Sequence, residues 1–194
     1  MNIVENLKNR QSVIGIVGLG YVGLPLVLRY CEVGFKVVGF DVDSDKISRL
    51  NKGESYIEHI SSAAIQQAID AGFVATAEFS RIREVDAIIL CVPTPLNAHR
   101  EPDLSYVMDT AATVAAHMRK GQILSLESTT YPGTTDEKLA PLLIEQGFEI
   151  GQDVFLVYSP EREDPGNEKY STRSIPKICG GYTGACLEAG LALY

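Results

Sequence analysis

No basic stretch interrupts this chain of 194 residues, in which 17 lysines and arginines face 25 aspartates and glutamates for a formal net charge of −8. That balance argues against a nucleic-acid partner, whose phosphates require clustered cations. Long apolar runs are missing as well. The opening MNIVENLKNRQS is polar and mixed, unlike a secretory signal, and no later run has the length of a membrane span. No membrane partner is therefore expected. The four cysteines, Cys31, Cys91, Cys179 and Cys186, form no C-x-x-C, which reads as a reduced, cytoplasmic chain with buried free thiols. His59, His99 and His117 lack metal-ligand spacing, so no metal is expected. Repeats and low-complexity segments are absent too. What remains is an ordinary globular composition, long enough for one domain with a sizeable core.

The chain is organised around residues 13–23, VIGIVGLGYVG. Residues 13–17 are an apolar run with one glycine, suited to a strand buried on both faces of a parallel sheet. Gly18, Gly20 and Gly23 follow in the spacing G-x-G-x-x-G, around Leu19, Tyr21 and Val22. Leu24, Leu28 and Cys31 then recur at helical spacing, and Pro25 fits a first helical turn. In this arrangement Gly18 allows the tight turn. Gly20 admits a pyrophosphate to the backbone, and Gly23 lets the helix pack closely on the strand. The helix N-terminus offers unpaired N–H groups to phosphate. Alone the spacing is a weak signal, equally compatible with a glycine-rich turn. It gains weight because a second apolar strand, residues 37–40, ends in Asp41, whose carboxylate can accept from both ribose hydroxyls of NAD.

Strand and helix patterns alternate from there on. Asp43 can cap a helix running to about Lys52, and a helix from Ser62 stops at Gly72. A weak strand is expected over residues 73–76 and an unbroken apolar one over 87–92. Asp103 can cap a helix carrying Leu104 to Met118. Residues 123–126 and 154–158 read as strands. Thr134 and Glu137 have capping-box spacing for a helix to about Gln146. A short last strand at residues 177–179 precedes a helix from Gly184. The predicted fold class is α/β: a doubly wound parallel sheet, Rossmann-like, with helices on both faces and strand order 3-2-1-4-5-6.

Ligands of such sheets bind beyond the carboxyl ends of the strands. The fourth strand ends in Val92-Pro93-Thr94-Pro95, which turns the chain outward and leaves Thr94 either near a cofactor ribose or in a stiff solvated loop. The fifth ends in ESTTYPGTT (residues 127–135), where Thr134 reads as a helix cap. The sixth ends in SPEREDPGN (residues 159–167), which on its own could be a solvated charged loop. Together these segments bring hydroxyls and a carboxylate to the edge where a nicotinamide would lie.

These motifs, GLGYVGLP (18–25), FDVD (40–43), VPTP (92–95), ESTTYPGTT and SPEREDPGN, resemble in type and order those of the nucleotide-sugar 6-dehydrogenases, the UDP-glucose and UDP-N-acetylhexosamine dehydrogenase family. YIEHI (56–60), REPD (100–103) and SPEREDPGN are similar to its N-acetylhexosamine branch. The resemblance implies NAD as cofactor and UDP-N-acetylglucosamine as substrate, with UDP-N-acetylmannosamine and UDP-glucose as alternatives. It also implies a role in surface-polysaccharide (O-antigen, lipopolysaccharide) synthesis. The implied chemistry oxidises the sugar C6 alcohol to an aldehyde and then, through a cysteine thiohemiacetal and thioester, to the uronic acid, with one NAD used in each step. Glu161 would be the general base for the water step and Thr129 would lie beside the nicotinamide and that water. A base acting near neutral pH needs a raised pKa, which partial burial could provide. Gly18, Leu19, Gly20, Tyr21, Val22, Gly23 and Asp41 would hold the cofactor, with Lys46, Thr94 and Thr129 adding contacts.

The chain departs from the family in lacking the downstream Gly-Gly-x-Cys-x-Pro-x-Asp motif that carries the nucleophile. Cys31 and Cys91 read as core, and Cys179 and Cys186 belong to the last strand–helix unit. Residues 1–194 are accordingly expected to be the NAD-binding domain of a longer enzyme, a homo-oligomer in its full length, and inactive alone. A β-hydroxyacid dehydrogenase shares the first motif but has no use for Ser-Pro-Glu. A non-catalytic NAD-sensing module shares the turn and the acid but has no need of Thr129 and Glu161 together.

Overall fold

The apolar runs become the strands of one sheet in a computed structural model of the chain, which describes residues 2–96, 102–161 and 176–194. These strands are β1 (Val13–Val17), β2 (Lys36–Phe40), β3 (Val74–Thr76), β4 (Ala87–Leu90), β5 (Gln122–Leu126), β6 (Val154–Tyr158) and β7 (Gly180–Gly181). Their order is β3-β2-β1-β4-β5-β6-β7. The first six strands pair in parallel as expected, and β7 adds an antiparallel edge at Val157 and Tyr158.

Alternation along the strands divides the core into two layers. Ile14, Ile16, Ile89 and Ile123 face helices α1 (Ile3–Lys8), α2 (Gly23–Glu32), α4 (Ser62–Asp70) and α7 (Gly184–Leu193). Val17, Ile88, Leu90 and Leu124 face α5 (Ser105–Ala115) and α6 (Ala140–Glu145). The expected cap of α3 (Ser44–Asn51) is present: the Asp43 carboxylate accepts the N–H of Asp45 at 2.9 Å and of Lys46 at 3.3 Å.

The structure adds to some local expectations and corrects others. The polar opening folds into α1, capped by the Asn2 side chain, because Ile3, Val4 and Leu7 share one buried stripe. No capping box forms at Thr134. That residue is itself helical (φ −52°, ψ −42°), its hydroxyl donates back to the Tyr131 carbonyl at 2.7 Å, and the helix enters through a wide π turn at Thr135–Leu139. The Asp103 carboxylate does receive the Ser105 N–H at 2.9 Å, but α5 ends at Ala115 rather than near Met118. The last strand lies at Gly180–Gly181, just past residues 177–179. There the backbone of Gly181 sits so close to α7 that a Cβ would fall 2.1 Å from the Leu187 nitrogen. His99, the first residues of REPD and residues 162–167 of SPEREDPGN lie outside the described residues.

Candidate active site

The turn between β1 and α2 passes through Gly18 at φ +93°, a left-handed conformation in which a Cβ would lie 2.5 Å from the Cys91 carbonyl oxygen. Gly23 is closed in more tightly still, since a Cβ there would fall 1.8 Å from the Gly18 oxygen. A Cβ on Gly20, by contrast, would meet nothing within 4 Å. Gly18 and Gly23 are thus fixed by packing within the fold, and Gly20 borders open space at the start of α2, which no side chain caps. That open cradle of backbone fits a pyrophosphate, as the glycine spacing predicts.

Leu19 and Gly23 belong to the turn but do not line the cavity beside it. The Leu19 side chain is wholly buried, and its peptide is held from both sides. Its N–H donates to Asp41 Oδ2 at 2.9 Å, and its carbonyl accepts the Tyr56 hydroxyl. Asp41 Oδ1 accepts the Asp43 N–H at 3.0 Å, and Lys46 Nζ stands 3.6 Å from Oδ2. Each carboxylate oxygen therefore receives one backbone donor and keeps a second lone pair for a ribose hydroxyl. Asp41 was read in the sequence as a ligand contact alone; it is also the tie between β2 and the glycine turn. Tyr56, the first residue of YIEHI, thus supports the glycine turn from outside it. Its ring also lies within reach of Lys46 and Arg49, at 6.0 and 5.8 Å from the centroid.

A cavity of about 810 Å³ runs from this turn across the carboxyl ends of β4, β5 and β6. It is within the range of small-molecule sites. Gly18, Gly20, Tyr21, Val22, Asp41, Lys46, Thr94, Thr129 and Glu161, all expected from the sequence, line it together. One wall was missed. Tyr106, Asp109, Thr110 and Thr113 face the cavity from α5. Their spacing of three, four and seven marks a polar stripe opposite the buried Val107, Ala111 and Val114, a helical signal that periodicity alone could have found.

Cys91 and Glu127 also line the cavity. Burial pushes the Cys91 thiol up to about 12, which keeps it protonated near neutral pH and a weak nucleophile. Glu127, directly after β5, is 2% exposed. One of its oxygens is paired with Lys177 Nζ, and the other accepts the Tyr194 hydroxyl at 3.0 Å. The next residue, Ser128, donates from its hydroxyl to the Val92 carbonyl at 2.7 Å, tying the rim of β5 to that of β4.

Residues 12–194 match the model of the UDP-glucose/GDP-mannose dehydrogenase family, NAD binding domain. The UDP-N-acetyl-D-glucosamine 6-dehydrogenase of Salmonella typhi is 38% identical over 176 residues, 90% of this chain and 41% of that protein. The UDP-N-acetyl-D-mannosamine dehydrogenase of Escherichia coli (strain K12) is 32% identical over 192 residues, 94% of this chain and 45% of that protein. Among solved structures, the NDP-N-acetyl-D-galactosaminuronic acid dehydrogenase of Methanosarcina mazei Go1 superposes with a TM-score of 0.86 at 31% identity. It covers all of this chain and 44% of its own. The chain thus spans less than half the length of these relatives. Glycine turn, strand-end acid, cavity and family match agree: the chain belongs to the UDP-glucose/GDP-mannose dehydrogenase family, as its NAD-binding domain.

Proposed function

We propose that this chain is the cofactor-binding part of a UDP-N-acetylhexosamine 6-dehydrogenase that oxidises the C6 alcohol of UDP-N-acetylglucosamine to the uronic acid for surface-polysaccharide synthesis. The observation that carries this reading is the single cavity lined by Gly20, Asp41, Thr129 and Glu161, which joins a phosphate cradle to a hydroxyl and a carboxylate. The relatives' names support an N-acetylhexosamine over glucose, and the 38% identity to the Salmonella typhi protein supports the gluco configuration. Four unpaired cysteines support a reducing, cytoplasmic setting.

NAD, when bound, supplies the hydride acceptor. The residues of this chain do the rest of the work on the cofactor side. The backbone at Gly18 and Gly20 receives the pyrophosphate, and Asp41 accepts the ribose hydroxyls. Thr129 sets a hydroxyl beside the reacting carbon, and Glu161 takes a proton from the water that releases the acid. The thiol that would hold the sugar during the second oxidation comes, in this reading, from polypeptide outside these 194 residues. The raised thiols of Cys31 and Cys91 support that assignment, since neither ionises readily near neutral pH.

The test mixes purified chain, NAD and UDP-N-acetylglucosamine and follows the absorbance of reduced nicotinamide. NAD binding without sustained turnover is expected. Two NADH formed per sugar would place the nucleophile among the cysteines of this chain and overturn the division of labour. A complete enzyme carrying this chain that oxidised UDP-glucose in preference would overturn the substrate.

A further inference from the structure

The mechanism above makes no use of the ion pair between Glu127 and Lys177. Glu127 is 2% exposed and the Lys177 side chain 22%. Lys177 Nζ also stands 4.9 Å from the centre of the Tyr194 ring. The Tyr194 hydroxyl, which donates its hydrogen bond to Glu127, lies 2.8 Å from the Ser125 hydroxyl, which donates to it. Two residues from the last strand–helix unit thus converge on one carboxylate at the end of β5.

Such a pair is a poor device for stability alone. Desolvating two charges offsets most of their attraction, and apolar replacements of similar volume are often neutral or better. What the pair does fix is position. Glu127 lies on the cavity wall, Ser128 is bonded to the β4 rim, and Thr129 opens onto the cavity immediately after. An anchored carboxylate two residues before Thr129 holds that strand end at both of its oxygens. Cys91 on the neighbouring strand end, and Cys179, are the other titratable groups whose charge Lys177 senses, and burial lowers the Lys177 ammonium to about 8.

We propose that Lys177 is a positioning residue for the cofactor site: through Glu127 it holds the segment from Glu127 to Thr129 in register with the nicotinamide end of the cavity. This rests on the reading that Thr129 stands at that end. Lys177 touches neither cofactor nor sugar in this role.

ADP-ribose and NAD separate positioning from general support of the fold, because ADP-ribose carries the pyrophosphate and both riboses without the nicotinamide. Both are titrated by calorimetry into the wild-type chain and into Lys177→Met, Lys177→Arg and Glu127→Gln, with urea unfolding run alongside. For Lys177→Met and Glu127→Gln, NAD affinity is expected to fall by about tenfold or more while ADP-ribose changes by less than about twofold. Lys177→Arg, which keeps the charge, should restore NAD binding to within about threefold of wild type. Equal losses for both ligands, or no loss for either, would overturn the positioning role. Glu127→Gln keeps the volume and one of the two acceptor oxygens, so it carries the test if Lys177→Met does not fold. A wild-type chain that binds ADP-ribose no more weakly than NAD would instead overturn the placement of the nicotinamide end.

Discussion

The Asp41 carboxylate accepts the backbone N–H of Leu19 over 2.9 Å, so the acid proposed to meet the ribose also holds the glycine turn in place. Asp41→Asn leaves only one oxygen for two backbone donors, Leu19 and Asp43. Stability should drop by about 1–3 kcal/mol, the usual penalty for a buried donor without a partner. Urea denaturation of the variant measures this. A midpoint equal to that of wild type would mean the tie carries no energy.

The same carboxylate should set cofactor choice. The 2′-phosphate of NADP would approach Asp41, adding like-charge repulsion and removing a ribose hydroxyl donor. Lys46, at 3.6 Å from Asp41, softens the repulsion without cancelling it. NAD should bind at least about tenfold more tightly than NADP. Calorimetric titration with both decides the matter, and tighter NADP would remove Asp41 from the ribose site.

Two glycines of one turn should respond in opposite ways. Gly23→Ala forces a Cβ to 1.8 Å from the Gly18 oxygen and should unfold the turn, at a cost of about 1–3 kcal/mol or more. Gly20→Ala meets no atom within 4 Å. It should leave stability within about 0.5 kcal/mol of wild type and still weaken NAD, because the new methyl occupies the phosphate cradle. Intact NAD affinity in Gly20→Ala would move the pyrophosphate elsewhere.

In a complete enzyme carrying this chain, Glu161→Gln should preserve cofactor affinity and slow turnover by about 10²–10⁴, the usual contribution of a general base. Steady-state rates with UDP-N-acetylglucosamine test it. Turnover near wild type would take Glu161 out of the chemistry.

Alkaline pH should destabilise the fold. Burial raises Cys31 to about 11 and Cys91 to about 12 from ordinary values of 9.0, and it raises the phenols of Tyr30, Tyr56 and Tyr194 above 10.0. These groups stay protonated when folded and ionise when unfolded. Their contribution is intact below pH 9 and is lost as pH rises beyond it. Lys177 acts in the opposite sense: held near 8 instead of 10.5, its burial costs stability below pH 8, and that cost fades as pH rises towards 10.5. These five groups, with Cys179 also raised by burial, oppose one, so the urea midpoint should fall between about pH 9 and 10.5. A midpoint rising across that range would contradict the burial of the five.

Much of this was legible because it is local. Residues 13–41 hold a strand, a turn, a helix, a strand and an acid in unbroken sequence, and the strand order followed from repeating that unit. The residues that close the cofactor cavity were visible where they end strands. Less visible was whatever depends on distant partners. Nothing near Ile3 or Leu7 announces that α1 will pack in the same core layer as α7. Glu127, Lys177 and Tyr194 each look unremarkable until the sheet brings them together. At Thr134 a good local pattern lost to the π turn, because the Tyr131 carbonyl offered the hydroxyl a better-placed acceptor.

The fit of β7 against α7 bears on how natural variants of this chain should be interpreted. Gly181 is solvent-accessible, and a screen that scores tolerance by exposure would pass any substitution there. Yet a single methyl group would collide with the backbone of Leu187 and tilt the terminal helix. That helix leads to Tyr194 and its bond to Glu127. With Glu127 as the anchor proposed above, a change at the molecular periphery would therefore surface as a cofactor-binding defect, transmitted through α7 to the far side of the sheet edge.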